Sequence, residues 1–150
     1  METTTTLATA ITVPKWITRH VPRILLGLCF FVFGLNGFFN FIPPPTKAMP
    51  DDLLAFFNGI MKSGYLFQLL KGTEVAVGVL LLINRFVPLA LVLIAPVVVN
   101  IVAVHLFLDR SGLPVALVVL ACELYLAWAH RKAYRPLLAS RQGEADQAIR

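Results

Sequence analysis

Charged side chains are scarce in this sequence. They make up 14% of its 150 residues, whereas an ordinary soluble domain carries about 25%. A chain of this length has a large surface for its volume and is not soluble with so few charges. The deficit excludes a disordered tail, a coiled coil and a nucleic-acid-binding module, although the net charge is +5. The composition instead favours a single membrane domain, because 58% of the residues are hydrophobic.

Groups that carry catalysis in other proteins are sparse as well. The two cysteines, Cys29 and Cys122, lie inside apolar runs and form no C-x-x-C motif, so a disulfide-forming enzyme is disfavoured. No histidine and cysteine cluster has metal-ligand spacing, no nucleophile elbow is present, and the glycines form no phosphate-binding loop. We therefore expect no metal site, and we expect the chain not to be catalytic on its own.

Long apolar runs are what the sequence does contain. A hydrocarbon core ~30 Å thick is crossed by about 20 mostly apolar residues in a helix. Buried β-strands end after about 4–8 residues and need turns between them, which the apolar runs here lack. The sequence therefore predicts an all-α integral membrane bundle at residues 20–138, between tails at 1–19 and 139–150. The four expected transmembrane helices cover residues 24–42, 66–83, 86–107 and 113–129.

The distribution of basic residues predicts the orientation of this bundle. Four spans place nine basic residues on one side of the membrane and only Lys47, Lys62 and Arg110 on the other. By the positive-inside rule, both termini are therefore cytoplasmic, an N-in/C-in arrangement. The nine basic residues are Lys15, Arg19, Arg23, Arg85, Arg131, Lys132, Arg135, Arg141 and Arg150.

The long connection between the first two spans predicts a further helix. It begins with three prolines at 43–45, and Asp51 and Asp52 then offer candidate helix caps. Apolar residues follow at helical spacing, from Leu53 to Met61, and Gly64 is a stop signal. We expect a short amphipathic helix on the outer surface of the membrane, which serves as a packing lid or as a gate.

Several polar side chains interrupt the apolar runs. A charged residue near the bilayer centre costs about 2.5–3.5 kcal/mol on insertion scales, so each one is a candidate functional residue. Counted at ~1.5 Å per residue from the outer ends of the spans, five of these side chains lie ~8–15 Å deep. This layer predicts a ligand-binding pocket. The alternative is that Lys71 and Glu74 pair within one helix, which lowers the cost of insertion, and that asparagine and glutamate side chains only hydrogen-bond one helix to another. The layer comprises Asn36, Lys71, Glu74, Asn100 and Glu123, and the expected pocket mouth comprises Asn40, Gln68 and His105.

The order of several motifs resembles that of the DoxX family of small bacterial membrane proteins. The motifs are Arg23-Ile-Leu-Leu-Gly27-Leu, the segment from Phe33 to Pro43, Gly64-Tyr-Leu66, the segment from Leu69 to Gly78, Asn84-Arg85-Phe86, and Pro96 with Asn100. The resemblance covers residues 20–138, and Asn36, Lys71, Glu74 and Asn100 match polar positions that recur in the family. It implies a four-helix N-in/C-in protein of the bacterial cytoplasmic membrane.

The resemblance also implies a link to redox chemistry. The family's namesakes are associated with a membrane thiosulfate:quinone oxidoreductase. Other members are associated with oxidative-stress complexes that contain a superoxide dismutase and a thiosulfate sulfurtransferase. The implied partners are the lipid bilayer, a redox subunit and a second copy of the chain, with no nucleic acid.

These observations leave three alternative functions. The first is a membrane subunit of a redox complex that binds quinone, the one candidate cofactor, among Asn36, Lys71, Glu74 and Asn100. The second is a small proton-coupled transporter that uses Glu74 and Glu123. The third is a membrane scaffold without a ligand, in which the polar layer only aligns the helices.

Overall fold

The all-α prediction is confirmed by a computed structural model that describes residues 15–43, 46 and 48–138, with side chains from residue 20 to residue 136 within those ranges. No strand occurs in these residues. Residues 1–14 of the predicted tail at 1–19, the predicted tail at 139–150, and Pro44, Pro45 and Lys47 lie outside the described residues. The helices are α1 (Lys15–Phe39), α2 (Asp51–Lys62), α3 (Leu66–Leu82), α4 (Val87–Phe107), α5 (Leu113–Ala129) and α6 (Arg131–Leu138), with a 3₁₀ turn at Arg110–Gly112 before α5.

Three helical segments in the described ranges are long and apolar enough to cross a membrane: His20–Phe39, Val87–Phe107 and Arg110–Ala129. Helix α3 has 17 residues, which at ~1.5 Å per residue is somewhat short of a ~30 Å core. Together with α2 it qualifies as a fourth candidate span, but the two helices are bent by 92° at the break between them. The described residues are therefore those of a helical membrane protein with three candidate spans, or four if the bent pair is one span.

Helix α1 differs from the expected span at both ends, because it begins at Lys15 and not at Ile24. Helix α1 ends at Phe39 and not at Ile42, because Asn40 adopts a left-handed conformation with φ of 50°, which asparagine tolerates better than most residues. The amide of Ile42 then donates to Oδ1 of Asn36 at 2.7 Å. Helix α6 was not expected, and it follows α5 after a break at His130.

Helices α1 and α3 pack together most closely, and glycine makes this approach possible. A Cβ atom on Gly78 of α3 would lie 2.6 Å from the backbone nitrogen of Phe31 in α1, and one on Gly34 would lie 2.9 Å from that of Val75. Gly27 approaches Leu81 and Leu82 in the same way. Gly27 and Gly34 are seven residues apart and lie on the face of α1 that packs against α3.

The remaining helices close a ring in which α1 and α4 each contact both α3 and α5. The start of α1 meets the end of α3 at what we call the Arg23 end of the bundle, and α2 lies at the opposite end, the α2 end. Buried side chains fill the centre, while large apolar side chains such as Val99, Val115 and Leu124 are exposed on the outside. An apolar outer surface of this kind is expected where lipid surrounds the protein.

Candidate functional site

The centre of the site is an ion pair within α3. Nζ of Lys71 lies 2.8 Å from Oε2 of Glu74, and the side chains are 20% and 6% exposed. Their spacing of three residues puts them on one face of the helix. The Lys71 stem crosses α1 at Gly37, where a Cβ atom would lie 2.5 Å from Cγ of Lys71. The predicted pair therefore forms, and the glycine provides the space that the lysine stem occupies.

This ion pair lines a cavity of about 390 Å³, which we call the α2 cavity. Asn100 and His105 of α4 line the same cavity, so four polar side chains from two helices share one space. The rest of the lining comes from all five helices α1 to α5 and is almost wholly apolar. The apolar and thiol groups are Cys29, Phe30, Phe33, Leu53, Phe56, Phe57, Ile60, Leu70, Val97, Ile101, Val104, Val115, Ala116 and Val119.

His105 has one ring nitrogen engaged and the other available. Its Nδ1 lies 3.0 Å from the backbone oxygen of Asp109. A carbonyl oxygen can only accept, so Nδ1 carries the hydrogen, and Nε2 of the neutral ring is an acceptor. Gly112 fits beside the ring, because any side chain there would collide with it. The turn between α4 and α5 thus orients the histidine that the sequence had placed at the pocket mouth.

Helix α2 covers the cavity with its apolar face. Leu53 and Ile60 are 7% and 8% exposed, and the rings of Phe56 and Phe57 stand edge to face with centroids 5.8 Å apart. Gly64, with φ of 76°, allows the sharp turn from α2 into α3. The predicted amphipathic helix is therefore present, and its buried face lies over the cavity.

The start of α2 differs from expectation. The residue that precedes the helix is Pro50, and neither Asp51 nor Asp52 makes a capping hydrogen bond. Both carboxylates lie in the first turn of the helix. Negative charges at this position interact favourably with the positive end of the helix dipole.

Glu123 lies apart from the other predicted ligand-binding residues. It is buried, with 5% of its surface exposed, and it lines a groove of about 510 Å³ between α4 and α5 that also contacts Tyr134 of α6. The α5 residues that line the α2 cavity are Val115, Ala116 and Val119, so Glu123 is about one turn nearer the Arg23 end. The structure does not bring Glu123 into a common cavity with Lys71 and Glu74.

Three further predicted residues are also absent from the lining of the α2 cavity. Asn36 uses its carbonyl oxygen to close the turn after α1, and Asn40 supplies the left-handed conformation of that turn. Gln68 is exposed on the first turn of α3. The asparagines thus have structural roles at the end of α1 that sequence spacing alone did not reveal.

The sequence predicted no contact for the side chain of Arg23, which has a specific position in the structure. It is buried at the Arg23 end and donates to the backbone oxygens of Leu81 and Leu82, the latter at 3.3 Å. Nη2 lies 3.2 Å from Nδ1 of His20. The guanidinium therefore caps the last carbonyl groups of α3, where the oxygen of Leu81 also accepts from the backbone amide of Asn84 at 3.2 Å. Nothing in the linear sequence indicates which helix end a flanking arginine will reach.

The two cysteines belong to different helices but line a common cavity. Cys29 of α1 and Cys122 of α5 line the same small cavity of about 100 Å³, and Cys29 lines the α2 cavity as well. Both thiols are half-buried and free. Their surroundings are apolar, as expected for cysteines inside membrane helices.

A family model, DoxX, matches residues 19–106, which is more than half of the chain. The match runs from α1 almost to the end of α4, so it includes all four polar residues of the α2 cavity and ends before Glu123. No curated protein and no solved structure gives a significant match.

Proposed function

The chain belongs to the DoxX family, and we propose that it binds a small lipophilic ligand of the quinone class in the α2 cavity. The observation that carries this proposal is the grouping of Lys71, Glu74, Asn100 and His105 in one otherwise apolar space. Its volume, about 390 Å³, is within the range of about 300–1,000 Å³ that is usual for small-molecule sites.

The donors and acceptors of the cavity suit a quinone. Quinone oxygens accept hydrogen bonds, and the ammonium of Lys71 and the amide of Asn100 can donate them. A hydroquinone hydroxyl needs an acceptor, and Glu74 and the free nitrogen of His105 provide candidates. The aromatic side chains that line the cavity, such as Phe33 and Phe57, offer apolar surface for the ring and its tail.

In this proposal the chain holds and orients the quinone, and a partner subunit supplies the electrons. The complex is of the sulfur-oxidising or oxidative-stress type that family resemblance implies, with a second copy of the chain as a further candidate partner. A protein that binds its ligand from the bilayer needs no opening to water on both sides. A transporter that uses Glu74 and Glu123 needs a path to water on both sides of the membrane. These two carboxylates line separate spaces.

The proposed orientation is that of a four-span protein of the bacterial cytoplasmic membrane with both termini in the cytoplasm. The support is the charge of the two ends. Arg23, Arg85 and the three basic residues of α6 belong to the Arg23 end, whereas the basic residues described at the α2 end are Lys62 and Arg110. By the positive-inside rule, the Arg23 end is cytoplasmic and α2 lies on the outer face.

Quinone binding by the purified protein in detergent tests this proposal. Asn100→Leu should weaken binding of a short-chain quinone about tenfold, the cost of roughly one hydrogen bond. Gln68→Leu is the matched control, since it removes an exposed amide that does not line the cavity. Equal affinity in both variants would contradict the assignment of the site. Absence of saturable binding would favour the scaffold function, and ion or solute flux into liposomes from the protein alone would favour the transporter.

A further inference from the structure

The groove between α4 and α5 is an apolar space that the quinone site does not use. Its volume is about 510 Å³, and its walls expose no polar surface. Leu91 is buried at its floor, while Val92, Val99 and Leu124 are exposed on the outside of the bundle. Leu91 and Val99 are eight residues apart, so the groove extends for about 12 Å along α4. An open apolar groove on the lipid-facing side of a helical bundle suits a hydrocarbon chain.

The end of this groove that is nearest the Arg23 end contacts α6. Tyr134 lines the groove, and its hydroxyl donates to the backbone oxygen of Pro88 at 3.2 Å, which holds α6 against the start of α4. The candidate span of α5 ends at Ala129, so α6 begins where the chain leaves the hydrocarbon core. Trp128 is exposed just before this point, and the guanidinium of Arg131 lies 4.7 Å from the centroid of its ring. Exposed tryptophan is typical of the membrane surface.

The basic residues of α6 lie on both sides of Tyr134 in the sequence. Arg131, Lys132 and Arg135 are spaced by three and four residues, so they share one face of the helix, and all three are exposed. Arg85, in the turn between α3 and α4, is also exposed. The surface beside the end of the groove therefore carries several positive charges.

These cations lack an acidic partner in the part of the chain that the structure describes. Arg85, Lys132 and Arg135 make no hydrogen bond or ion pair there. The described carboxylates lie elsewhere: Asp51, Asp52 and Asp109 at the α2 end, and Glu74 and Glu123 buried inside the bundle. The positive charge beside the groove is thus available to an anion from outside the described chain.

We propose that the groove and the basic face of α6 form one binding site for an anionic phospholipid. Its acyl chain lies in the groove, and its phosphate pairs with Lys132 and Arg135. Ammonium and guanidinium groups are the natural complement of a phosphate, and basic residues at the membrane surface attract anionic headgroups. The site is independent of the proposed quinone site, because no described residue lines both the groove and the α2 cavity.

Native mass spectrometry of the delipidated full chain in detergent tests this inference. The protein is titrated with phosphatidylglycerol and with phosphatidylethanolamine that has the same acyl chains. We expect one phosphatidylglycerol to bind at least about fivefold more tightly than phosphatidylethanolamine, because only the former carries a net negative charge. A higher ammonium acetate concentration should reduce this preference. Equal affinity for the two lipids would overturn the proposal, and this comparison needs no variant.

The headgroup contact is tested by the double variant Lys132→Gln with Arg135→Gln. It should weaken binding of phosphatidylglycerol about tenfold and leave that of phosphatidylethanolamine unchanged. The matched control is Lys62→Gln with Arg110→Gln, which removes two exposed basic residues at the α2 end. The control should change the affinity less than about twofold. Equal weakening by the two double variants would refute the assignment of the phosphate to α6.

The acyl-chain contact is tested by Ala127→Leu, which fills part of the groove. We expect severalfold weaker binding of both lipids with the headgroup preference retained. Ala121→Leu is the matched control, since Ala121 is exposed on the same helix and does not line the groove. Equal affinities in these two variants, or displacement of the lipid by glycerol phosphate, would exclude the groove as the chain site. A change of oligomeric state in Ala127→Leu with unchanged lipid affinity would assign the groove to a second copy of the chain instead.

Discussion

At the scale of single residues, the pairing of Lys71 with Glu74 decides whether charge can exist inside this bundle. Each side chain neutralises the other at 2.8 Å, so neither is left as an isolated ion in apolar surroundings. The pair also leaves donor hydrogens on the ammonium, because one contact to a carboxylate uses only one of three. The same two residues can therefore stabilise the helix and contact a ligand.

Removing one member of this pair should cost more stability than removing both charges. Glu74→Gln leaves a buried ammonium without its counterion and should lower the free energy of unfolding by about 3 kcal/mol. The double variant Lys71→Met with Glu74→Gln should recover much of that loss, since no buried charge remains. Thermal unfolding in detergent compares four proteins, the unchanged chain, Lys71→Met, Glu74→Gln and the double variant, and strictly additive effects would show that the pair is not coupled.

At the scale of elements, the packing of α1 on α3 depends on glycine at their contact. Gly78→Ala should destabilise the protein by about 1–3 kcal/mol, because the added methyl group meets the backbone of α1 and neither helix can yield. Gly72→Ala on the same helix is the control. No atom lies within 4 Å of its Cβ position, apart from its chain neighbours and the helix's own backbone. It should be neutral or stabilising by up to about 1 kcal/mol. Melting temperatures of the two variants test this contrast, which equal melting temperatures would contradict.

The buried face of α2 should control access to the ligand. Ile60→Asn places an amide where the side chain is 8% exposed over the cavity, so quinone binding should weaken severalfold even in protein that remains folded. Leu54→Asn is the matched control, because Leu54 lies on the exposed face of the same helix and does not line the cavity. The dissociation constants of both variants are compared with that of the unchanged chain. Similar weakening of quinone binding by both variants would mean that the buried face of α2 has no specific effect on the ligand.

Most helices could be predicted from the sequence, but their ends could not. Hydrophobic runs locate α3, α4 and α5 because a helix in lipid needs apolar side chains at most positions, which leaves a clear pattern. The end of α1 depends instead on the conformation of Asn40 and on the contact of Asn36 with Ile42. Helix α6 is short and mixed in character, and no apolar run marks it.

At the scale of the whole molecule, the site was only partly predictable for a geometric reason. Counting residues along a span gives the depth of a side chain but not the direction in which its helix is turned. Counting residues placed Lys71, Glu74 and Asn100 at similar depth, and the three side chains line one cavity. It grouped Glu123 with them as well, although that residue is turned toward the groove beside Tyr134.

The proposed orientation makes a prediction for the intact membrane. In a chain whose native cysteines are replaced by alanine, Asn58→Cys on α2 should react with a membrane-impermeant thiol reagent added outside cells. Arg85→Cys, in the turn between α3 and α4, should react only after the membrane is broken, because it lies at the opposite end of the bundle. Both positions are exposed, so accessibility within the protein does not separate them. The reverse labelling pattern would place the termini on the outside.

Quinone binding in the α2 cavity can be tested with a photoreactive quinone analogue. The analogue is cross-linked to the protein in native membranes, and mass spectrometry identifies the labelled residues. If the α2 cavity holds the ligand, labelled residues will fall on α2 between Leu53 and Ile60 and on α4 near Asn100, and excess unmodified quinone will abolish the labelling. Label that is confined to the groove around Glu123, or that spreads over the outer surface and is insensitive to competition, would contradict a quinone site in the α2 cavity.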